Sequence, residues 1–203
     1  MKDIVKNSLK KSMTYQAYRQ LVVDLLKKGK STGEKQSDDL LNYSKLNNSR
    51  MKRLDKTFKL SEQAKEIINN SDKKYHWIVL TESWCGDAAH SLPVINKIVE
   101  ASGNIELNIV LRDENEALMD AFLTDGSRSI PKLIALDAYT NEVVSTWGPR
   151  PSEATQMVKN YKEKFGSLDA EFKKDLQVWY NANKGENIEK DIVDMLCVAA
   201  DCI

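Results

Sequence analysis

Apolar residues recur at helical spacing through roughly the first 72 residues, and a polar loop separates the first two stripes. One stripe joins Tyr15, Tyr18, Leu21, Val22, Leu25 and Leu26, and the next joins Leu40, Tyr43, Asn47, Met51, Leu54 and Phe58. Ser61 precedes a third and shorter stripe, and serine is a favoured residue at helix starts. The pattern therefore predicts a helical N-terminal extension over residues 1–72.

The pattern changes between residues 73 and 166, where strand-like and helix-like segments alternate. A compact apolar run at 75–80 predicts a buried strand, residues 86–101 keep a helical period, and residues 105–111 predict a second strand. A short helix, two strands joined by a tight turn and a helix that opens at Pro151 follow. The order β-α-β-α-β-β-α predicts an α/β fold with a mixed sheet, because the long first crossover favours parallel strands and the hairpin antiparallel ones.

Helical periodicity returns over residues 167–203, which we predict to form a C-terminal extension. One face carries Phe172, Leu176, Trp179 and Tyr180, Gly185 interrupts the pattern, and Ile188, Ile192, Met195 and Leu196 begin another face. The chain is thus predicted to have three parts, with a core at 73–166 between two helical extensions.

Charge and cysteine content limit the partners and the cellular compartment that we expect for the protein. The 203 residues contain 30 basic and 30 acidic side chains, so no overall field would hold nucleic acid or an anionic membrane. The apolar runs are too short to span a bilayer, and the first residues lack the apolar segment of a secretory signal. Three cysteines argue against a disulfide framework. We expect a cytoplasmic protein without nucleic-acid or membrane partners.

The segment TESWCGDAAHSLP, residues 81–93, is the part of the chain most suggestive of chemistry. A predicted strand ends, Trp84 and Cys85 follow, and a helix begins. A cysteine at a helix start is near free N–H groups and the positive end of the helix dipole, and both favour the thiolate. Asp87 opposes that effect by its negative charge, and His90, three residues later, can pair with Asp87 on one face of the helix.

These residues resemble the active site of the thioredoxin family. W-C-G at 84–86 matches the start of the family's W-C-G-P-C motif, Pro93 matches its helix proline, and G-S-R-S-I-P-K-L at 126–133 matches the stretch around its cis-proline. The resemblance covers residues 73–166, including the final hairpin and Gly148, and is closest to cytosolic bacterial members with a helical N-terminal extension. It implies a thioredoxin-like core in which Cys85 is the nucleophile. It also implies a substrate surface formed by Trp84, Gly86, Asp87, Ile130 and Pro131, with Pro131 cis and beside Cys85.

Three departures from the family pattern change the expected chemistry. Ala88 replaces the second cysteine, Asp87 replaces the intervening proline, and Val79 replaces a buried aspartate. Without a neighbouring thiol, a mixed disulfide on Cys85 loses the effective molarity of ~10⁵ M or more that intramolecular attack supplies. We therefore expect exchange through Cys85 alone, with a protein disulfide or a low-molecular-weight thiol as the partner.

The residues leave a second interpretation open. Cys85 can instead be a vestigial thiol in a non-catalytic module that binds a peptide or protein through the Trp84/Asp87/Pro131 surface. Asp87 is either a first-turn helix acid or a participant in ligand binding, and His90 is expected to be an exposed helix residue. Cys197 and Cys202 either pack a terminal helix or supply a resolving thiol, and the cysteines and histidines have no recognised zinc spacing. We predict neither a metal nor a cofactor.

Overall fold

The computed structural model describes the backbone of residues 2–200 and the side chains of residues 2–197. The strands are β1 (Tyr75–Thr81), β2 (Ile105–Leu111), β3 (Lys132–Asp137) and β4 (Val143–Trp147). The helices are α1 (Lys2–Leu9), α2 (Tyr15–Lys27), α3 (Asp38–Thr57), α4 (Glu62–Asn69), α5 (Gly86–Ala101), α6 (Glu116–Ala121), α7 (Ser152–Phe165), α8 (Ala170–Asn183) and α9 (Glu186–Ala200). The predicted α/β class is confirmed.

The four strands form one mixed sheet in the order β2-β1-β3-β4. β1 and β2 run parallel from the pair Tyr75–Ile105 to the pair Thr81–Leu111, as the long crossover through α5 requires. β3 lies antiparallel to both β1 and β4, and its pairing with β4 shifts register between Ala135 and Leu136. The predicted order β-α-β-α-β-β-α is therefore confirmed.

The two edges of the sheet differ in their cover. Met13 pairs with Ile109 on the outer side of β2, and the two residues exchange N–H···O bonds of 2.9 and 2.8 Å. The helix before it, α1, was not among the predicted elements. β4 forms the opposite edge, where Val143 and Val144 are exposed.

Both helical extensions pack on the same apolar core as the sheet. Tyr18 of α2 and Met51 of α3 are buried in one cluster with Trp77 of β1 and Leu92 of α5, and Ile188 of α9 joins it from the other end of the chain. These stripes pack because burying a large apolar side chain contributes roughly 1.5–3 kcal/mol. None of the described helices is long and apolar enough to cross a membrane.

The buried face of α3 is more polar at its start than the apolar stripe suggested. Tyr43 is 54% exposed, whereas its neighbour Ser44 is fully buried and Asn47 nearly so. Ser44 faces inward because its hydroxyl lies 2.8 Å from the Ser83 hydroxyl, next to the predicted active-site motif. The N-terminal extension therefore contacts the site directly.

Candidate functional site

The site is built on the short turn that links β1 to α5. β1 ends at Thr81, and Cys85 is the N-cap residue of α5 with extended backbone angles. The Cys85 sulfur accepts a hydrogen bond of 3.4 Å from the N–H of Ala88. The predicted position of Cys85 at a helix start is therefore observed, and its sulfur takes the part that a serine or aspartate oxygen usually plays.

A second loop closes over the Cys85 thiol. The sulfur donates to the carbonyl oxygen of Ile130 at 3.2 Å, and the Ile130–Pro131 peptide bond that follows is cis. Gly148 adopts a φ of +109°, and any side chain there would collide with the Pro131 carbonyl oxygen. Glycine is required at this position because other residues disfavour that φ and because the two backbones touch.

Burial makes Cys85 a thiol and not a thiolate. The residue is 8% exposed. Its pKa is raised to about 12, first because burial penalises the charge and second because Asp87 is nearby. The N–H groups of Ala88 and Asp87 and the cation of Arg150 oppose this shift without cancelling it. The N–H groups at the helix start favour the thiolate, as expected, but the loss of water on burial outweighs them.

Asp87 is held by two side chains that are distant from it in sequence. Arg150 places a guanidinium nitrogen 2.8 Å from one carboxylate oxygen, and the Tyr180 hydroxyl donates to the other at 3.0 Å. Burial still raises the pKa of Asp87, although Arg150 and Tyr180 act in the opposite direction. The carboxylate therefore belongs to a buried network and does not reach solvent as a ligand-binding group.

His90 contradicts both expectations made for it. It is buried and not exposed, and it contacts α8 where a pair with Asp87 was predicted. Its Nε2 lies 3.1 Å from Gln177 Oε1, and its ring stacks on Tyr180 with a centroid distance of 4.4 Å. Burial lowers the pKa of His90 to about 4, so the ring is neutral at pH 7. The helical period placed His90 beside Asp87 but contained no information on α8.

The predicted substrate surface is only partly accessible. Asp87, Ile130 and Pro131 are buried, whereas Trp84 and Gly86 are half-buried. The Arg112 guanidinium stands over the Trp84 ring, 4.8 Å from its centroid. Gln177 of α8 approaches Gly86 so closely that an added Cβ would lie 3.3 Å from its amide nitrogen.

A cluster of neutral polar groups holds the residues just before Cys85. The Ser83 hydroxyl accepts from the Thr32 N–H at 3.0 Å, and the Ser83 N–H donates to the Thr32 hydroxyl at 2.8 Å. Ser44 adds the hydroxyl contact already described, and Asn47 donates to the Ser83 carbonyl at 2.9 Å. The helical period included Asn47 in the predicted stripe, but no apolar period marks Thr32, Ser44 or Ser83, so the sequence pattern did not identify those three.

Glu82 lies beneath this cluster, fully buried at the end of β1. Its Oε1 accepts from the Asp113 N–H at 3.0 Å. Burial raises the pKa of Glu82, and the hydrogen bond from Asp113 opposes the rise. A carboxyl group is therefore present near the motif, at a different place from the buried aspartate that Val79 replaces.

Comparison with protein families decides the assignment. The family model described as thioredoxin matches residues 33–162, which is more than half of the chain. The chain belongs to the thioredoxin family. The matched region begins inside the N-terminal extension and therefore includes α3, which supplies Ser44 and Asn47 to the site of this thioredoxin-family protein. A comparison with curated proteins gives no match.

Two solved structures support the thioredoxin-like fold. A protein of unknown function from Pseudomonas aeruginosa aligns with a TM-score of 0.60 at 18% identity, over 76% of this chain and 86% of that one. An HIV epitope scaffold aligns with a TM-score of 0.57 at 15% identity, over 91% of this chain and 98% of the scaffold. At such identities the similarity concerns the fold alone.

The site offers little to a metal ion. Among the described residues, no three histidine, cysteine or acidic side chains come together in an arrangement that could hold one. Ala88, at the position of the family's second cysteine, is buried against Cys85 and carries no thiol. Cys197 lies half-buried on α9, and Cys202 lies outside the described residues.

Proposed function

We propose that this protein is a non-catalytic thioredoxin-fold module in which Cys85 is a protected thiol and a partner peptide or protein binds beside Trp84. The observation that carries the proposal is the enclosure of the Cys85 sulfur between the Ile130 carbonyl and the first turn of α5, next to the Asp87 carboxylate. A sulfur so placed is shielded from a disulfide substrate and disfavoured as an anion.

The size of the pKa shift argues against exchange at neutral pH. With a pKa of about 12, the thiolate fraction of Cys85 at pH 7 is on the order of 10⁻⁵. An ordinary cysteine with a pKa near 8.5 has a few per cent thiolate under the same conditions. Only the thiolate attacks disulfides, so the resting protein is poorly suited to the reaction.

Trp84 and Arg112 support the binding half of the proposal. Of the surface predicted from the sequence, Trp84 is only half-buried, and Arg112 stands over its ring. Tryptophan and arginine are the side chains most enriched at the energetic centres of protein interfaces. We therefore place the partner on the Trp84 side of the motif and not over the enclosed Asp87 and Pro131.

Alkylation of a variant with a single thiol tests the proposal. In the Cys197→Ser/Cys202→Ser variant, Cys85 is the only cysteine, so the rate of reaction with iodoacetamide reports on it alone. We expect the folded protein at pH 7 to react at least ~100-fold more slowly than the same chain in urea. A folded rate equal to or above the unfolded rate would contradict the proposal.

A second candidate function is exchange through Cys85 alone, and one observation favours it. The sulfur lies at the start of α5 against the loop of the cis-proline, which is the position of the family's nucleophile. In such a reaction the Cys85 thiolate attacks a disulfide, a new S–S bond forms, and the departing thiolate takes up the proton that Cys85 lost.

Ala88→Cys separates the two candidates. If Cys85 can exchange, the added thiol restores a C-x-x-C spacing, and the variant should reduce insulin disulfides with dithiothreitol as the reductant. Cys85→Ser/Ala88→Cys is the matched control and should be inactive. Failure of the introduced thiol to form a disulfide with Cys85 under oxidising conditions would eliminate exchange and leave the binding module.

A further inference from the structure

We propose that a second site in this protein binds a small organic anion, in the pocket between the 124–129 loop and α7. The pocket has a volume of about 320 Å³, at the lower end of the range of ~300–1,000 Å³ that is typical of small-molecule sites. Its lining includes Ser127 and Ser129 from the loop, Arg150 from the segment after β4, and Lys162 from α7. The proposal does not depend on whether Cys85 is reactive.

The balance of charge in the pocket favours an anion. Most of the charges in its wall are already compensated: Arg150 by Asp87 at 2.8 Å, and Lys159 loosely by Glu163 at 4.0 Å. Asp125 interacts with the Lys132 ammonium and so is compensated from outside the pocket. Lys162 forms no ion pair with any described residue. One positive charge is therefore left over.

Uncommitted hydrogen-bond donors lie beside that charge. The side-chain hydroxyls of Ser127 and Ser129 form no hydrogen bond with another described residue, and the Arg150 Nε–H is buried without an acceptor. Hydroxyls, a guanidinium and an ammonium together suit a carboxylate or a phosphate group, because such oxygens accept several hydrogen bonds.

The apolar part of the pocket indicates an organic body on the anion. Pro149 and Val158 are both buried, and both line the pocket. Ser129 immediately precedes Ile130, whose carbonyl accepts from Cys85, and Arg150 contacts Asp87. An anion bound here would therefore share Arg150 with the network around the motif.

Matched small ligands test the charge requirement. We would titrate the full chain with butyrate and with propyl phosphate, and in parallel with butylammonium and butanol, and follow amide shifts of Ser127, Ser129 and α7 by NMR. We expect saturable binding of at least one anion with a Kd on the order of 1 mM, and weaker binding as salt rises. Tighter butyrate identifies a carboxylate as the natural group, and tighter propyl phosphate identifies a phosphate.

Two lysines of α7 supply the matched variants. Lys162→Gln removes the uncompensated charge and should weaken anion binding about tenfold. Lys164→Gln changes an exposed lysine of the same helix outside the pocket and should leave the Kd within about twofold. Saturation by neither anion, equal binding of butylammonium, or the same Kd in both lysine variants would overturn the proposal.

Discussion

The two flanks of Cys85 are closed in different ways. The upstream flank, residues 82–84, is fixed by neutral hydroxyl and amide groups of the N-terminal extension that gather around Ser83. The downstream flank, residues 86–90, is fixed by a carboxylate, a guanidinium and stacked rings. Neutral groups can hold a backbone without moving the pKa of a neighbouring thiol, whereas Asp87 raises it. The upstream flank therefore supports the backbone of the motif, whereas the downstream flank also changes the pKa of Cys85.

The largest effect should come from the cation of the downstream flank. Arg150→Met leaves the buried Asp87 carboxylate without its counter-charge, so we expect the free energy of unfolding at pH 7 to fall by about 4 kcal/mol. Urea unfolding measures it. Arg128→Met is the control, because Arg128 makes its ion pairs at the surface and its loss should matter far less. Equal losses in both variants would show that Asp87 does not need Arg150.

The second-largest effect should be a loss of stability at acid pH that is caused by His90. Burial lowers the pKa of His90 to about 4, so the unfolded chain binds more protons than the folded one between about pH 6.5 and 4. Stability must then fall as the pH drops through that window, by up to about 3 kcal/mol at its lower end. Asp87 and Glu82, whose pKa values are raised, act with the opposite sign. The comparison of wild type with His90→Gln removes their contribution.

Urea midpoints between pH 4 and 7 measure this acid effect. The loss of stability that His90 causes as the pH falls should be absent from His90→Gln. It should remain in His76→Gln, which changes the histidine beside Glu106 on β1. A wild-type curve parallel to that of His90→Gln would mean that His90 takes up its proton over the same pH range in the folded and the unfolded chain.

The upstream flank should respond in stability alone. Ser83→Ala leaves the Thr32 N–H and the Ser44 hydroxyl buried without their partner, which costs about 2 kcal/mol. Ser49→Ala, at an exposed serine of α3, should change little. The Cys85 pKa of folded Ser83→Ala should equal that of the wild type, as measured by thiol titration. A changed pKa would show that the upstream flank also controls the thiol.

The smallest effect is expected from one hydroxyl of the downstream flank. Tyr180→Phe keeps the ring stacked on His90 but removes the donor to Asp87, for a loss of about 1 kcal/mol in unfolding free energy. Tyr161→Phe removes a similar hydroxyl bond, to Asp169, from a more exposed site and should have a smaller effect. The reverse order would argue that Arg150 alone satisfies the Asp87 carboxylate.

The sequence pattern predicted the parts of the fold that have a period. β1 is an almost continuous apolar run, β2 is apolar except at Glu106 and Asn108, and α2 and α8 carry stripes of large side chains, so the burial of apolar side chains determines these elements. α1 is short, with few large apolar residues, and it was missed for that reason. Tyr43 lies on α3 but was wrongly assigned to its buried face. The contact between the Ser44 and Ser83 hydroxyls, and not an apolar contact, makes Ser44 the residue of that turn that faces inward.

The candidate site was predicted in its motif but not in its surroundings. Cys85 lies at a helix start against Ile130, as the resemblance implied. Its pKa is raised by burial and by Asp87 and is lowered by Arg150, and neither the burial nor the approach of Arg150 is revealed by local spacing. The dipole argument considered only the helix start visible in the sequence and could not include the burial of Cys85, which has the larger effect on its pKa.

The strand-like pair at Met13 has a consequence for how the protein behaves at high concentration. Edge strands with unpaired backbone groups are templates for joining sheet to sheet between molecules. Met13 occupies both backbone groups of Ile109 on the outer side of β2, and α1 lies before it in the chain. A chain shortened to begin after Met13 would keep the motif but uncover this edge, and intermolecular β-pairing would then begin at β2.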